Sequence, residues 1–292
     1  MIPLKLLIPS GRVNGFHSAQ GHHRRWVWRL IIVNAEFGTI KREVLEAFLG
    51  QTLGVTGYAD YCPNGLQVEG KESIRRVGFA VSATMDSIRR AVEAQADALI
   101  VHHGLLWNFS GPRPLVGPYA RRVFPLVRSE MNLFAYHLPL DAHPDYGNAA
   151  GLARALGLTQ LAPFGDYKGK PTGVQGVFDE ALPASSLKAK ISQALDHPVL
   201  FASPDERAMV RTLGIITGGA NRDWSLAHSV GLDGYLTGEM SEHDWHDSQE
   251  AGIHMFAGGH HATEVFGVKS LMILLTERFG LDCFYIDSEN PA

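Results

Sequence analysis

Five residues of this 292-residue chain have types and spacing that could hold metal: His102 and His103, Asp141, and His260 with Glu264 four positions later. Neutral imidazole nitrogen mixed with carboxylate oxygen suits Zn, Mn, Fe, Co or Ni rather than Cu(I) or an iron–sulfur cluster, and does not choose among them. Five ligands exceed what one tetrahedral ion needs while keeping a position open for water. They suit two divalent transition-metal ions with one carboxylate bridging. Consecutive side chains leaving a strand diverge, so His102 and His103 can serve different ions. His260 and Glu264 share a face if a helix starts at Gly259, and can then grip the same ion. Taken singly, each pattern is ordinary: a His-His pair is usually a polar loop, and His-x-x-x-Glu usually a solvated helix face. Metal is favoured because all three clusters fall just past expected strands.

Those strands form a pattern that recurs. Val77 to Thr84 is an apolar strand-like run, Met85 to Ala96 has helical periodicity behind the N-cap Thr84, and Ala98 to Val101 is a short buried strand ending in His102-His103-Gly104. From Leu213 the pattern repeats: strand, a short helix over Arg222 to Val230, and strand Gly234 to Thr237 ending in Gly238-Glu239. A further strand follows in each half, Asn132 to Tyr136 before His137 and Asp141, and Ile253 to Ala257 before His260 and Glu264. Gly173 to Ser203 reads as additional strand-helix-strand of the second half. Open α/β sheets place ligands past the carboxyl ends of their strands. The expected fold is therefore α/β, with two similar interlocking halves arising by internal duplication and the metal cleft between them. The first half is expected over 39–161 and the second over 162–292, with a seam at the Pro-, Gly- and charge-rich stretch Ala162 to Lys170.

Composition agrees with metal in a reduced compartment. Nine of the 14 His fall in the windows 102–143 and 243–261, whereas the 2 Cys cannot build a disulfide framework or a thiolate cage, which points to the cytoplasm. The net charge of −4 is uneven. Five basic residues and no acid precede Glu36, leaving 21 basic against 30 acidic residues, a balance of −9, in the rest. A body that acidic opposes nucleic acid as a partner. A transit peptide, a signal peptide, a membrane anchor and upstream sequence read from an early start compete for the basic leader 1–38. Its apolar run Trp26 to Val33 is broken by Arg29 and far short of a membrane span, so no membrane is expected as partner. The leader is expected to be disordered or non-native.

The strings Asn64-Gly65-Leu66-Gln67-Val68, Val101-His102-His103-Gly104, His137 to Pro144, Leu236-Thr237-Gly238-Glu239 and Gly259-His260-His261-Ala262-Thr263-Glu264 resemble, in order and spacing, the NIF-three-like family, also labelled type 2 homologues of GTP cyclohydrolase I. The resemblance covers roughly Lys41 to Ala292. It implies a dinuclear metal protein assembled as a homohexameric toroid, with ligands on His102, His103, Asp141, His260 and Glu264, the five that the chemistry selects. It also implies a nucleotide-like substrate opened at a purine ring. Many relatives carry Lys where Asn108 stands, and if that Lys binds an anion, Arg113 would have to replace it here.

The expected activity is metal-assisted hydrolysis, of a nucleotide ring, a related cyclic amide or a phosphoester. Glu239 and His137 are the candidate catalytic residues. Glu239 could be a general base, hold a ligand, or simply accept a hydrogen bond at the Gly238 turn; His137 could orient a ligand or substrate, or merely line the cleft. The turn Gly218-Gly219-Ala220 is too short to cradle a triphosphate as a P-loop does. Cys62 lacks a recognisable activating partner and reads as a small buried residue. The alternatives are a metal-binding toroidal scaffold that engages nucleic acid or proteins without turnover, and metal storage.

Overall fold

The computed structural model describes residues 37–292. The expectation of a leader over 1–38 falls almost entirely outside the described residues.

The strands are β1 (Ile40–Lys41), β2 (Gly65–Val68), β3 (Ser73–Ile74), β4 (Arg76–Ser82), β5 (Ala98–His103), β6 (Asn132–Ala135), β7 (Thr159–Phe164), β8 (Gly173–Pro183), β9 (Leu200–Ala202), β10 (Met209–Ile215), β11 (Gly234–Thr237), β12 (His254–Ala257) and β13 (Asp282–Tyr285). The α-helices are α1 (Arg42–Leu53), α2 (Met85–Glu93), α3 (Gly117–Arg128), α4 (Leu138–Ala142), α5 (Asn148–Ala155), α6 (Ala184–Leu195), α7 (Trp224–Ser229), α8 (Glu242–Ala251), α9 (His260–Thr263) and α10 (Val265–Phe279). Besides the pair β1–β3 there are a five-stranded sheet, β13-β4-β5-β6-β2, and a six-stranded sheet, β7-β8-β10-β11-β12-β9. The protein is α/β, as the sequence pattern requires.

Each sheet has a parallel centre. Val77 pairs with Ala98 and Ala98 with Asn132 in the first; Leu213 pairs with Gly234 and Gly234 with His254 in the second. The strands are short and apolar because both faces are covered. In the first sheet Val77, Phe79, Ile100 and Phe134 bury one face against α1 and α10, through Leu45, Leu49, Val268, Leu271 and Leu275. The opposite face, Ala80, Leu99, Val101 and Leu133, packs on Ile88 and Ala91 of α2 and Leu126 of α3. Thr84 caps α2, its hydroxyl accepting from the Ser87 N–H, as its residue type suggests. In the second sheet Leu213, Ile215, Leu236 and Phe256 pack on α5 and α6, and Tyr235 and Met255 on the face that carries α7.

The interlocking is concrete. Helix α5, before the expected seam, covers the second sheet, while α10 and β13, at the end of the chain, complete the first. A cut at 161/162 would fall inside β7, and part of the expected seam is therefore strand, paired antiparallel with β8. No helix among the described residues is long and apolar enough to cross a membrane.

Candidate metal centre

Parallel strands running into short turns bring their ends together, and here those ends carry the polar residues. His102 and His103 close β5, His137 follows β6 and starts α4 with Asp141 in its turn, and His260 opens α9 after β12. Glu264 sits at the junction of α9 and α10 with φ −105° and ψ 9°, so the expected single helix is two, broken at the ligand. The i, i+4 relation survives the break: His260 Nε2 lies 3.3 Å from Glu264 Oε1.

All five expected ligands converge. His102 Nε2 is 3.4 Å from both Asp141 Oδ1 and Glu264 Oε1, and His103 Nε2 is 3.3 Å from Glu264 Oε2. His102 and His103 thus approach different oxygens of one carboxylate, as divergent neighbours on a strand should. The groups His102–Asp141–Glu264 and His103–His260–Glu264 each place their ligand atoms close enough to surround one ion. Two ligand atoms each about 2.1 Å from a shared ion, at angles between octahedral and tetrahedral, stand about 3.0–3.4 Å apart. Among the described residues, the buried atoms His102 Nε2 and Glu264 Oε2 have no hydrogen-bond partner. Such orphans are costly unless something binds them. Borderline donors, spacing and unpaired buried atoms all fit a divalent metal.

Outer groups hold four of the five candidate ligands. His102 Nδ1 is 2.9 Å from the Tyr136 carbonyl, His103 Nδ1 2.9 Å from Ser82 Oγ, and His260 Nδ1 2.6 Å from Glu239 Oε1. Each ring therefore presents Nε2 to the centre. Asp141 Oδ1 accepts from Asn148 Nδ2 at 2.9 Å and Thr217 Oγ1 at 3.0 Å, and Asn148 Oδ1 accepts from the Gly267 N–H, which ties the centre to α10. Gly218 is required by the site itself: its φ is +70°, and a Cβ there would lie 2.2 Å from Glu264 Oε1.

Electrostatics follow burial and charge. Burial alone would lower His102, but Asp141 and Glu264 raise it to about 9; burial likewise opposes the charge on His260, which Glu264 and Glu239 raise to about 9. Burial lowers His103 to about 3 against the pull of Glu264. Burial raises Asp141, whereas Glu264, despite burial, is held well below the usual carboxylate range by His103 and His102. Two buried carboxylates draw in positive charge, as protons or as metal.

His137 is close to the cluster, its ring 5.0 Å from that of His102, and its Nδ1 is 2.9 Å from Asp60 Oδ1. Asp60 is not singled out by the sequence. Its buried carboxylate accepts from His137 and the Cys62 N–H through Oδ1, and from Asn64 and the Leu138 N–H through Oδ2. Burial would raise it, but His137 and these donors outweigh burial and hold it at about 2. Its only sequence signal is an Asp ahead of the Cys-Pro-Asn turn.

Other residues take the plainer reading. His143 Nε2 bonds the Thr52 carbonyl and His254 Nδ1 bonds Ser203. Burial pushes the Cys62 thiol up to about 11, which leaves it unreactive. Asn108 bonds the Asp60 carbonyl, and Arg113 stacks on Tyr119 at 4.5 Å in a neighbouring hollow, so the expected replacement of an anion-binding Lys by Arg113 in the metal cleft does not occur. The cleft over the metal ligands encloses ≈ 430 Å³ between Tyr61, Trp107 and Phe109 on one side and Ile216, Thr217 and Gly219 on the other.

The family model described as Duf34/NIF3 (NGG1p interacting factor 3) matches residues 40–291. The chain belongs to this family. It is 43% identical over 251 residues to the "GTP cyclohydrolase 1 type 2 homolog" of Vibrio cholerae, covering 85% of this chain and 98% of that protein. It is 39% identical over 251 residues to the protein of the same name in Pyrococcus abyssi, again covering 85% and 98%. Among solved structures, the protein ybgI, titled as of unknown function, superposes with a TM-score of 0.79 at 37% identity, covering 87% of this chain and all of that one. TTHA1606 of Thermus thermophilus does so with a TM-score of 0.79 at 34% identity, with the same coverage. This Duf34/NIF3 member therefore shares its fold with these two solved structures and most of its length with bacterial and archaeal relatives.

Proposed function

We propose that this Duf34/NIF3 protein is a metal-dependent hydrolase holding two divalent transition-metal ions on His102, His103, Asp141, His260 and Glu264. The observation that carries the reading is the convergence of those five residues, two with buried atoms lacking a hydrogen-bond partner among the described residues and four of them lining an open cleft. When bound, a pair of such ions polarises the bond under attack and makes water acidic enough to ionise near neutral pH.

The chain's own residues do the rest. Glu264 links the two ligand groups. Glu239 accepts from His260 Nδ1 and thereby positions a ligand, the role its 2.6 Å contact favours over that of general base. His137, fixed through Nδ1 by Asp60 and grouped with His102 and His103 by the proximity of their ring nitrogens, is assigned the proton transfer between water and leaving group. Trp107 and Phe109 exclude bulk water from one side. The name of the relatives points first to opening of a ring in a nucleotide-like compound, with hydroxyl going to carbon and the proton to the departing nitrogen; a cyclic amide or phosphoester is the neighbouring class. The homohexameric toroid implied by the resemblance and the cytoplasmic location read from the two-cysteine composition belong to the same proposal.

The test is a panel of nucleotides, cyclic amides and phosphodiesters assayed after reconstitution with Mn, Fe, Co, Ni or Zn. Turnover lost in His102→Ala is the expected result. Metal retention with wild type and variant indistinguishable across the panel would sink the hydrolase and favour the scaffold, and mass determination by light scattering checks the hexamer.

A further inference from the structure

Among the described residues, no lysine or arginine lines the metal cleft, while aromatic rings line one whole side of it. We propose that the cleft takes a neutral, planar heterocycle held by ring stacking, and that it discriminates against nucleoside triphosphates. This deepens the hydrolase reading and rests on it for the site.

The aromatic wall is continuous from rim to metal ligands. Trp107 and Phe109 stack at 5.5 Å, Tyr61 lies 6.0 and 6.1 Å from them, and Trp107 reaches the rings of His137 at 5.2 Å and His103 at 6.0 Å. Phe109 is 73% exposed at the cleft beside Trp107, an arrangement that a stacked ring would cover favourably. The opposite wall, Ile216 to Ala220, is small and uncharged. A volume of ≈ 430 Å³ falls at the lower end of small-molecule sites, which run from about 300 to 1,000 Å³, and suits a ring system with one modest substituent.

Charge argues the other half. Asp141, Glu264, Asp166 and Asp223 line the cleft. Asp141 and Glu264 would be taken up by the ions, and Asp166 and Asp223 add further negative charge to the same cleft, which repels a polyphosphate. Lys168 lies over the ring of Tyr167, a cleft-lining residue, at 5.0 Å but does not itself line the cleft, and Arg113 lies over Tyr119 at 4.5 Å in the neighbouring hollow. Beyond direct binding to metal ions, recognition of phosphate ordinarily uses arginine, lysine or a phosphate-cradling loop, and among the described residues no arginine or lysine lines the cleft.

The experiment is calorimetric titration of the zinc-loaded full chain with guanosine, adenosine, cytidine and uridine, each beside its 5′-triphosphate. Zinc content is measured after each titration, so that chelation is not read as binding. At least one nucleoside should bind, with its triphosphate weaker by about tenfold or more. Phe109→Ala, at an exposed position that leaves the fold intact, should weaken the nucleoside about tenfold, as should Trp107→Ala. Replacing both rim acids, Asp166→Lys with Asp223→Lys, should strengthen the triphosphate about tenfold. A triphosphate tighter than its nucleoside, no nucleoside bound, or indifference to Phe109 and Trp107 would each overturn the proposal. Ring-dependent binding without turnover under any metal defeats the hydrolase reading and leaves this one standing; hydrolysis of a tightly bound triphosphate does the reverse.

Discussion

The two sheets end the same parallel ladder in opposite ways. Where β5 of the first sheet carries His102 and His103, the register of β11 places Gly238 and Glu239. A Cβ on Gly238 would lie 2.6 Å from the Cα of His260, so the second sheet keeps that strand end bare for α9 to cross it. The first sheet thus delivers ligands from the strand itself. The second delivers them from the helix beyond the next strand and uses its strand end, through Glu239, to orient one of them. At the other end of the ladders the halves agree. Asp97 accepts from the Arg75 and Arg76 N–H groups, and Asp233 from the Arg211 and Thr212 N–H groups. Structural devices match between the halves, and ligand placement does not, because it depends on where the next segment of chain crosses.

The largest effect should come from the residue that joins the halves. Glu264→Ala should lose most of both metal ions by elemental analysis, whereas His260→Ala, which leaves His102 and Asp141 intact, should keep about one ion per chain. Equal losses in the two variants would erase the proposed division of labour. Gly218→Ala comes next: a positive φ and a collision with Glu264 Oε1 should destabilise by about 2 kcal/mol or more and reduce metal content, read from the urea midpoint and by elemental analysis.

Asp60→Ala removes the acceptor for two backbone N–H groups and for His137, at a cost of about 2–3 kcal/mol by urea unfolding. Metal content should persist, since Asp60 touches none of the five ligands; parallel loss of metal would mean that His137 belongs to the ligand set. The smallest effects compare the two ladder-base aspartates. Asp97→Ala and Asp233→Ala should each cost about 1–2 kcal/mol with metal content unchanged. Burial works against the Asp97 carboxylate, but the Arg76 and Arg75 N–H groups and Lys71 hold it below its ordinary 3.8. A lowered folded value means stability that is present above pH 3.8 and lost as pH falls through the folded value, so the gap between wild type and Asp97→Ala should close there. A gap that widens toward acid would contradict this.

The candidate ligand set is legible because its chemistry is local: residue type plus position just past an apolar run names His102, His103, Asp141, His260 and Glu264 before any contact is seen. The ladder is legible for the same reason, through the 25-residue spacings from Gly78 to His103 and Gly214 to Glu239. Asp60 is not, because it lies in an irregular turn whose side chain matters only through His137, 77 positions away. Nor is the exchange of α5 and α10 between sheets. Both helices have an apolar side, and neither pattern states which sheet that side will cover.

By itself the sequence determined the α/β class, the parallel strands and the five candidate ligands, since periodicity and side-chain chemistry act over a few residues. The tertiary structure decided which oxygen faces which imidazole, that Glu264 interrupts a helix, that the chain's last strand completes its first sheet, and that the cleft is aromatic and free of lysine and arginine among the described residues. Those features arise from packing between segments far apart in the chain, where the winning arrangement is the one that buries every apolar face at once.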